Sequence, residues 1–268
     1  MPDPISASAQ PVCLIIAGYD PCGGGGVLVD LIASRASGVR AVAAVTAVTA
    51  QNTSECLRMT PVAAELLRDE LELLAREFSF GAVKVGMIGD SSLAGVISDF
   101  LDSRCKDVPV VLDPVLAASA GLALFPPDRH EDLRRLFSRC TLITPNLPEL
   151  TALSGLSVES SDALGHAARV LLASGARAVL VKGGHAEGVL VVDELVTTSD
   201  LIRFEQDRLS LPKIRGTGCF LSTAIACALL EGLPLASAVA AGRALLQEHL
   251  GSAWFPGGRN GLLTDNMK

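Results

Sequence analysis

The strongest constraint on the fold is an alternation of two kinds of segment along the chain. Short runs rich in β-branched residues alternate with longer segments whose apolar residues recur with helical spacing. Strands are predicted at residues 12–17, 41–48, 82–85, 108–112, 142–144 and 178–181, and helices at residues 61–77 and 91–103. This repeated strand–helix order predicts a largely parallel sheet with helices on both faces.

The C-terminal third of the chain has a different pattern. Strand-like runs at residues 189–192, 194–197 and 201–204 are too close together for intervening helices, so an antiparallel extension at one sheet edge is predicted. Two apolar helices, at residues 217–230 and 235–250, should follow. Without an internal repeat or linker, we predict a single α/β domain over residues 12–268, preceded by a frayed or disordered leader over residues 1–11.

Composition excludes several classes of function. The 268-residue chain is 49% hydrophobic and 19% charged, which is typical of a globular protein. Its formal net charge of -7 and its lack of a basic patch predict that it binds neither nucleic acid nor anionic membranes. The apolar run at residues 219–230 is too short to span a bilayer. Seven scattered cysteines without a CxxC pair indicate the reducing cytoplasm.

A glycine-rich loop follows the first predicted strand. Residues 17–26 read AGYDPCGGGG, and four successive glycines would let the backbone approach a ligand closely. The spacing differs from the dinucleotide-binding fingerprint G-x-G-x-x-G. A flexible turn without any ligand explains this segment equally well.

A second glycine motif, Arg215-Gly216-Thr217-Gly218-Cys219, leads directly into an apolar helix. The free N–H groups and partial positive charge of a helix N-terminus suit a transferring phosphoryl group. The same position is expected to lower the pKa of Cys219. The alternative is a glycine-rich helix cap with a packed cysteine.

Three further segments place polar side chains after strands, where ligands bind in open parallel sheets. Asn146 and Glu149 offer oxygen ligands for Mg²⁺, although the same spacing fits a capping box that needs no ligand. Asp113 follows one strand, and Lys182 follows another as a possible phosphate contact. None of the four histidines, His185 included, is assigned a catalytic role. Because Walker A and protein-kinase motifs are absent, a phosphotransferase here must belong to another class.

The order of these motifs carries a family resemblance. AGYDPCGGGG, TAQNT, KVGMIG, VLDPVL, TPNLPE, KGGH and GTGCFLS together resemble the hydroxymethylpyrimidine/phosphomethylpyrimidine kinases of thiamine biosynthesis, over residues 12 to about 230. The resemblance implies a three-layer α/β/α ribokinase-like fold, with ATP and Mg²⁺ as cofactors. It also implies phosphorylation of 4-amino-5-hydroxymethyl-2-methylpyrimidine, and then of its monophosphate to the diphosphate.

The resemblance also implies roles for individual residues. The pyrimidine pocket would be lined by Gly18, Asp30, Gln51, Met87 and Val115. Mg²⁺ and the phosphates would lie near Asp113 and Glu149, and the nucleotide near Asn146, Lys182 and Thr217. Catalysis would depend on Gly216 and Gly218 in an anion hole and on Cys219, which stands where most superfamily members have an aspartate base.

Several positions depart from the family pattern. Cys22 and Gly25 replace a common serine and alanine, and Ser119 and Ala120 stand where lysine and serine are common. A basic side chain near the phosphates is thereby lost. Arg215 replaces a common histidine, and we hypothesise that its charge compensates for that loss. These departures bear on the efficiency of the second phosphorylation more than on the fold.

Two other functions are compatible with these residues. A pyridoxal or pyridoxine kinase would share the scaffold and phosphorylate a similar hydroxymethyl heteroaromatic compound. A regulatory module could keep the pyrimidine pocket without transferring phosphate, although such a binder would not need Asp113, Glu149, Lys182 and the anion hole together. A homodimer is what the family resemblance implies.

Overall fold

The computed structural model describes residues 10–184, 188–258 and 260–264. A nine-stranded sheet has the order β3-β2-β1-β4-β5-β6-β7-β8-β9. Its strands are β1 Val12–Tyr19, β2 Ala41–Gln51, β3 Cys56–Pro61, β4 Phe80–Val85, β5 Val110–Leu112, β6 Leu142–Ile143, β7 Val179–Val181, β8 Leu190–Val196 and β9 Leu201–Asp207. The six strands from β2 to β7 in this order are parallel, which confirms the predicted α/β class.

Helices cover both faces of this sheet. They are α1 Gly26–Ala36, α2 Ala64–Glu77, α3 Ser91–Arg104, α4 His130–Phe137, α5 Leu147–Ser154, α6 Ser161–Ala173, α7 Thr217–Leu230 and α8 Leu235–Leu250. One apolar core lies between the sheet and α2 to α6, and a second lies between the sheet and α1, α7 and α8. The result is the predicted three-layer arrangement.

The sheet edges differ in part from the prediction. The antiparallel extension is confirmed, but residues 189–192 and 194–197 are not two strands, because β8 runs without interruption through Asp193. That aspartate is tolerated inside a strand because it pairs with the guanidinium of Arg243 from α8. The opposite edge carries β3, which pairs antiparallel with β2 and occupies part of the segment next to the predicted helix at residues 61–77.

The C-terminal part adds a small two-stranded sheet in which β10, Ile214–Arg215, pairs with β11, Gly261–Leu262. Arg215, the last residue of β10, directly precedes Gly216, the N-cap of α7. Residues 1–9 of the predicted leader lie outside the described residues, as does His185, and the division into a leader and one domain stays a prediction. None of the helices in the described part of the chain has the length and apolar character that crossing a bilayer requires.

Candidate active site

The candidate site lies beyond the carboxyl ends of the parallel strands. Its central contact joins Lys182, after β7, to Asp113, after β5, with Nζ 2.5 Å from Oδ1. Thr144 donates to the same oxygen at 3.3 Å, and Ser222 of α7 donates to Oδ2 at 3.4 Å. Four segments that are distant in sequence therefore meet around one buried carboxylate.

Glu149 lies close to this pair. It forms a capping box with Asn146, in which the Asn146 N–H donates to Oε2 at 2.8 Å and the Glu149 N–H donates to the asparagine Oδ1 at 2.9 Å. The predicted alternative to metal binding is thus present. Burial raises the pKa of Glu149 to about 7, Asp113 adds to the rise, and Lys182 opposes it.

The charge of Lys182 is maintained by these two carboxylates. Burial alone would lower the pKa of Lys182, but Asp113 and Glu149 outweigh burial and hold the pKa above its ordinary value. Lys182 is therefore a permanent cation at working pH. Its backbone also pairs with the segment before α5, since its N–H donates to the Pro145 carbonyl at 2.9 Å.

The N-terminus of α7 faces the same cluster. Gly216 is the N-cap and adopts a positive φ of 79°, a conformation that favours glycine. At Gly218, a Cβ atom would lie 3.1 Å from the Lys182 Nζ and 3.7 Å from the Asp113 Oδ2. The backbone at Gly218 thus approaches the Lys182 ammonium closely. Thr217 and Gly218 remain partly exposed, so a ligand can reach the start of the helix.

Cys219 does not have the lowered pKa that its position at a helix start predicts. Burial raises the pKa of its thiol to about 11, and the carboxylates of Asp30 and Asp113 add to the rise, although Lys84 opposes it. Burial of the thiol follows from the tertiary packing, so the helix position alone gave the wrong direction. The resting protein keeps Cys219 as a neutral thiol.

A fully buried ion pair supports the floor of the site. The Nζ of Lys84 lies 2.6 Å from the Asp30 Oδ2, and Thr223 of α7 donates to Oδ1 at 2.8 Å. Both oxygens of Asp30 are thus engaged within the protein, and its role in lining a pyrimidine pocket stays a prediction. Sequence reasoning missed Lys84, although a lone lysine in the apolar strand β4 signals a buried partner.

The other predicted pocket residues fall into two groups. Gly18 and Met87 are in direct contact, since a Cβ at Gly18 would lie 1.9 Å from the Met87 Cε. Val115 packs against the same small apolar cluster as Met87. Gln51, at the end of β2, instead contacts Arg215, whose Nη2 donates to the glutamine Oε1 at 2.9 Å.

The structure also shows where the residues that depart from the family pattern lie. Ser119 and Ala120 are exposed in a tight turn closed by a hydrogen bond from the Ala118 N–H to the Leu122 carbonyl, at 2.8 Å. Arg215 forms a salt bridge with Asp20 at 3.2 Å, so its charge is already paired in the loop after β1. That Arg215 compensates for the missing basic side chain near the phosphates stays a hypothesis.

One supporting contact could not be found from sequence. The Gly183 N–H, next to Lys182, donates to the Asp193 Oδ1 at 2.8 Å, and the other oxygen of Asp193 pairs with Arg243. At Gly183 a Cβ would lie 1.8 Å from the Val192 carbonyl oxygen, so only glycine fits there. This contact fixes the loop that carries Lys182.

Comparison with known proteins identifies the family. The family model described as phosphomethylpyrimidine kinase matches residues 20–264. The hydroxymethylpyrimidine/phosphomethylpyrimidine kinase of Rhizobium meliloti (strain 1021) is 35% identical over 244 residues, which cover 90% of this chain and 91% of that protein. Among solved structures, phosphomethylpyrimidine kinase from Clostridium difficile 630 has a TM-score of 0.78 at 29% identity, with 90% of this chain and 100% of that chain covered.

A pyridoxal kinase has a similar structure. The ADP complex of Bacillus subtilis pyridoxal kinase has a TM-score of 0.86 at 25% identity and covers 96% of this chain and 98% of its own. The fold and these likenesses define a phosphotransferase of the ribokinase-like class. Within that class, the chain belongs to the phosphomethylpyrimidine kinase family, which confirms the identification made from the motifs.

The pKa of Glu149 gives a pH dependence that can be measured on the free protein. Because the native carboxyl binds its proton up to about pH 7, against an ordinary value of 4.5, its contribution to stability is present below pH 4.5 and is lost as pH rises to about 7. Glu149→Gln keeps the capping contact and removes the titration. We expect chemical unfolding of this variant to show a weaker fall in stability between pH 4.5 and 7. An unchanged pH dependence would contradict the raised pKa.

Proposed function

We propose that this protein transfers the γ-phosphoryl group of ATP to the hydroxymethyl group of 4-amino-5-hydroxymethyl-2-methylpyrimidine, and then phosphorylates the monophosphate to the diphosphate. The observation that carries the proposal is the Lys182–Asp113 pair, which lies against the N-terminus of α7. Membership of the phosphomethylpyrimidine kinase family supports the substrate. In this assignment Gly18, Met87 and Val115 form the apolar side of the pocket, and Gln51 its polar side.

The charges of the site suit phosphoryl transfer, in which catalysis is mostly positioning and electrostatic stabilisation. The substrate hydroxyl forms a new bond to the γ-phosphorus, the bond to the bridging oxygen breaks, and ADP leaves. Lys182 and the free N–H groups at the start of α7 would stabilise the negative charge of the transferring group. Asn146, whose backbone is adjacent to Lys182, and Thr217 would contact the nucleotide phosphates.

Mg²⁺ fits the oxygen donors of the site. Asp113 and Glu149 are close enough for one carboxylate to raise the pKa of the other, an arrangement that a dication would relieve. Within the described residues no group of three or more metal-binding side chains occurs, which suits an ion that takes one or two carboxylates and completes its shell with phosphates and water. The ion would neutralise phosphate charge. Location in the cytoplasm and a homodimeric state belong to the same proposal.

The assay that tests this function uses MgATP with hydroxymethylpyrimidine, its monophosphate and pyridoxal in separate reactions. ADP release is followed and products are identified by mass. Diphosphate formed from the monophosphate is the expected result. Pyridoxal phosphate alone would favour the second candidate, a pyridoxal kinase, which the Bacillus subtilis structure supports. Binding of the pyrimidine without ADP release would instead indicate a regulatory module.

Cys219 is proposed as the acceptor of the hydroxyl proton. The substitution Cys219→Ala is then expected to lower kcat far more than ATP affinity, because the thiol would act only on the reacting hydroxyl. Since burial raises the pKa of this thiol to about 11, wild-type kcat should increase with pH between pH 7 and 9 as the thiolate fraction grows. Wild-type turnover in Cys219→Ala would remove this role and leave positioning and charge stabilisation as the mechanism.

A further inference from the structure

Arg215 is a buried arginine whose guanidinium connects separate segments beside the candidate pocket. It bridges the loop after β1, through Asp20 at 3.2 Å, and the end of β2, through Gln51 at 2.9 Å and the Asn52 carbonyl. A longer contact reaches the Cys22 sulfur at 3.6 Å. The side chain is only 8% exposed, so these contacts define its position.

The loop after β1 also fits closely around this guanidinium. At Gly24, a Cβ atom would lie 3.1 Å from both the Cζ and the Nε of Arg215. The charge of Asp20 and the close approach of Gly24 together restrict the guanidinium to one place. Because a guanidinium has N–H donors and no acceptor, the group can only donate hydrogen bonds there.

This contact determines which end of the Gln51 amide a ligand meets. Arginine has no acceptor, so the amide atom that faces it must be the oxygen. That oxygen is therefore engaged, whereas no hydrogen bond of the Gln51 Nε2 occurs within residues 10–184, 188–258 and 260–264. A glutamine alone could donate or accept. With Arg215 in place, the amide offers a ligand its N–H groups.

We propose that Arg215 is a positioning residue that fixes Gln51 as a hydrogen-bond donor, so that the site selects heterocycles with a ring nitrogen acceptor at this point. The inference rests on the proposed function, in which Gln51 lines the substrate pocket. An aminopyrimidine presents both acceptors, its ring nitrogens, and a donor, its amino group. With its oxygen turned towards Arg215, Gln51 directs its N–H groups to the ring nitrogen.

The substitution Gln51→Glu tests the N–H groups of this side chain separately from its oxygen. A carboxylate has nearly the same shape and still accepts from Arg215, but it has no N–H to offer. We expect the Kd for hydroxymethylpyrimidine, measured calorimetrically without nucleotide, to rise on the order of 30-fold, because a donor to the ligand is lost and the ring nitrogen faces another acceptor. ADP affinity and the thermal midpoint should not fall.

Substrate analogues distinguish positioning from a structural role. Pyridine analogues replace either ring nitrogen of the pyrimidine by C–H, and wild-type protein should bind one of them on the order of 30-fold more weakly than the pyrimidine. Gln51→Glu should lose this discrimination. Arg215→Lys keeps a positive charge beside Asp20 but lacks the planar fork, so the amide can rotate and the discrimination should also shrink.

The outcomes separate the inference from the proposed function. Wild-type protein that binds no hydroxymethylpyrimidine would refute the proposed substrate, and the same comparison is then made with pyridoxal, which also has a ring nitrogen. Equal Kd values for wild type and Gln51→Glu, on the heterocycle that wild type binds, would overturn the inference alone. Full discrimination in Arg215→Lys would show that Arg215 does not orient the amide.

Discussion

Replacing Lys84 by methionine is expected to lower the free energy of unfolding by about 3–5 kcal/mol, because breaking a buried ion pair leaves one charge without a partner. Lys84 and Asp30 are both fully buried and lie 2.6 Å apart. Asp30 holds the pKa of Lys84 well above its ordinary value despite the opposing effect of burial. Urea unfolding at pH 7.5, followed by far-UV circular dichroism, measures the loss.

The double variant Lys84→Met/Asp30→Asn tests whether the charge is the cause. Asparagine keeps an oxygen for the hydrogen bond from Thr223 but carries no charge, so we expect most of the stability to return. Arg104→Met, which breaks the exposed pair with Glu72, is the matched control and should change stability little, because solvent screens that pair. A double variant as unstable as Lys84→Met would mean that packing, and not the unpaired charge, decides the loss.

The layered fold could be predicted from local sequence, and the same local patterns select the candidate site. Apolar runs identified the parallel strands, and the chemistry-bearing motifs follow those strands directly. The edge strand β3, with the sequence CLRMTP, was missed because its exposed polar residues give no continuous apolar run. Strand β8 was divided in error at Asp193, since the arginine that donates to this carboxylate lies 50 residues further along the chain.

The electrostatics of the site could not be predicted in the same way. The raised pKa of Cys219 depends mainly on the burial of its thiol, with smaller contributions from Asp30 and Asp113, and only the tertiary fold produces these surroundings. The orientation of Gln51 depends on Arg215, which is separated from it by 164 residues. Motifs therefore select the candidate residues, but the protonation states and the free hydrogen-bonding groups of these residues follow from long-range contacts.

Lys182→Met is expected to reduce kcat by about 10²–10³-fold, the range found when one preorganised stabiliser of transition-state charge is removed. In the resting site the Lys182 Nζ lies 2.5 Å from the Asp113 Oδ1 and neutralises the charge of that carboxylate. Its positive charge also lowers the pKa of Glu149 against the effect of burial. Its loss removes the cation that faces the transferring phosphoryl group and leaves the Asp113 carboxylate without its counter-charge. Steady-state kinetics at saturating MgATP, with ADP release as the signal, measures the change.

A loss of stability must be separated from this loss of catalysis. Lys182→Met also leaves the Asp113 carboxylate buried without its cation, so the thermal midpoint should fall. Adding Asp113→Asn removes that charge and should restore much of the midpoint, while kcat stays low because the cation and the proposed metal ligand are both missing. If kcat returned together with stability, Lys182 would be acting through the fold and not on the transferring phosphoryl group.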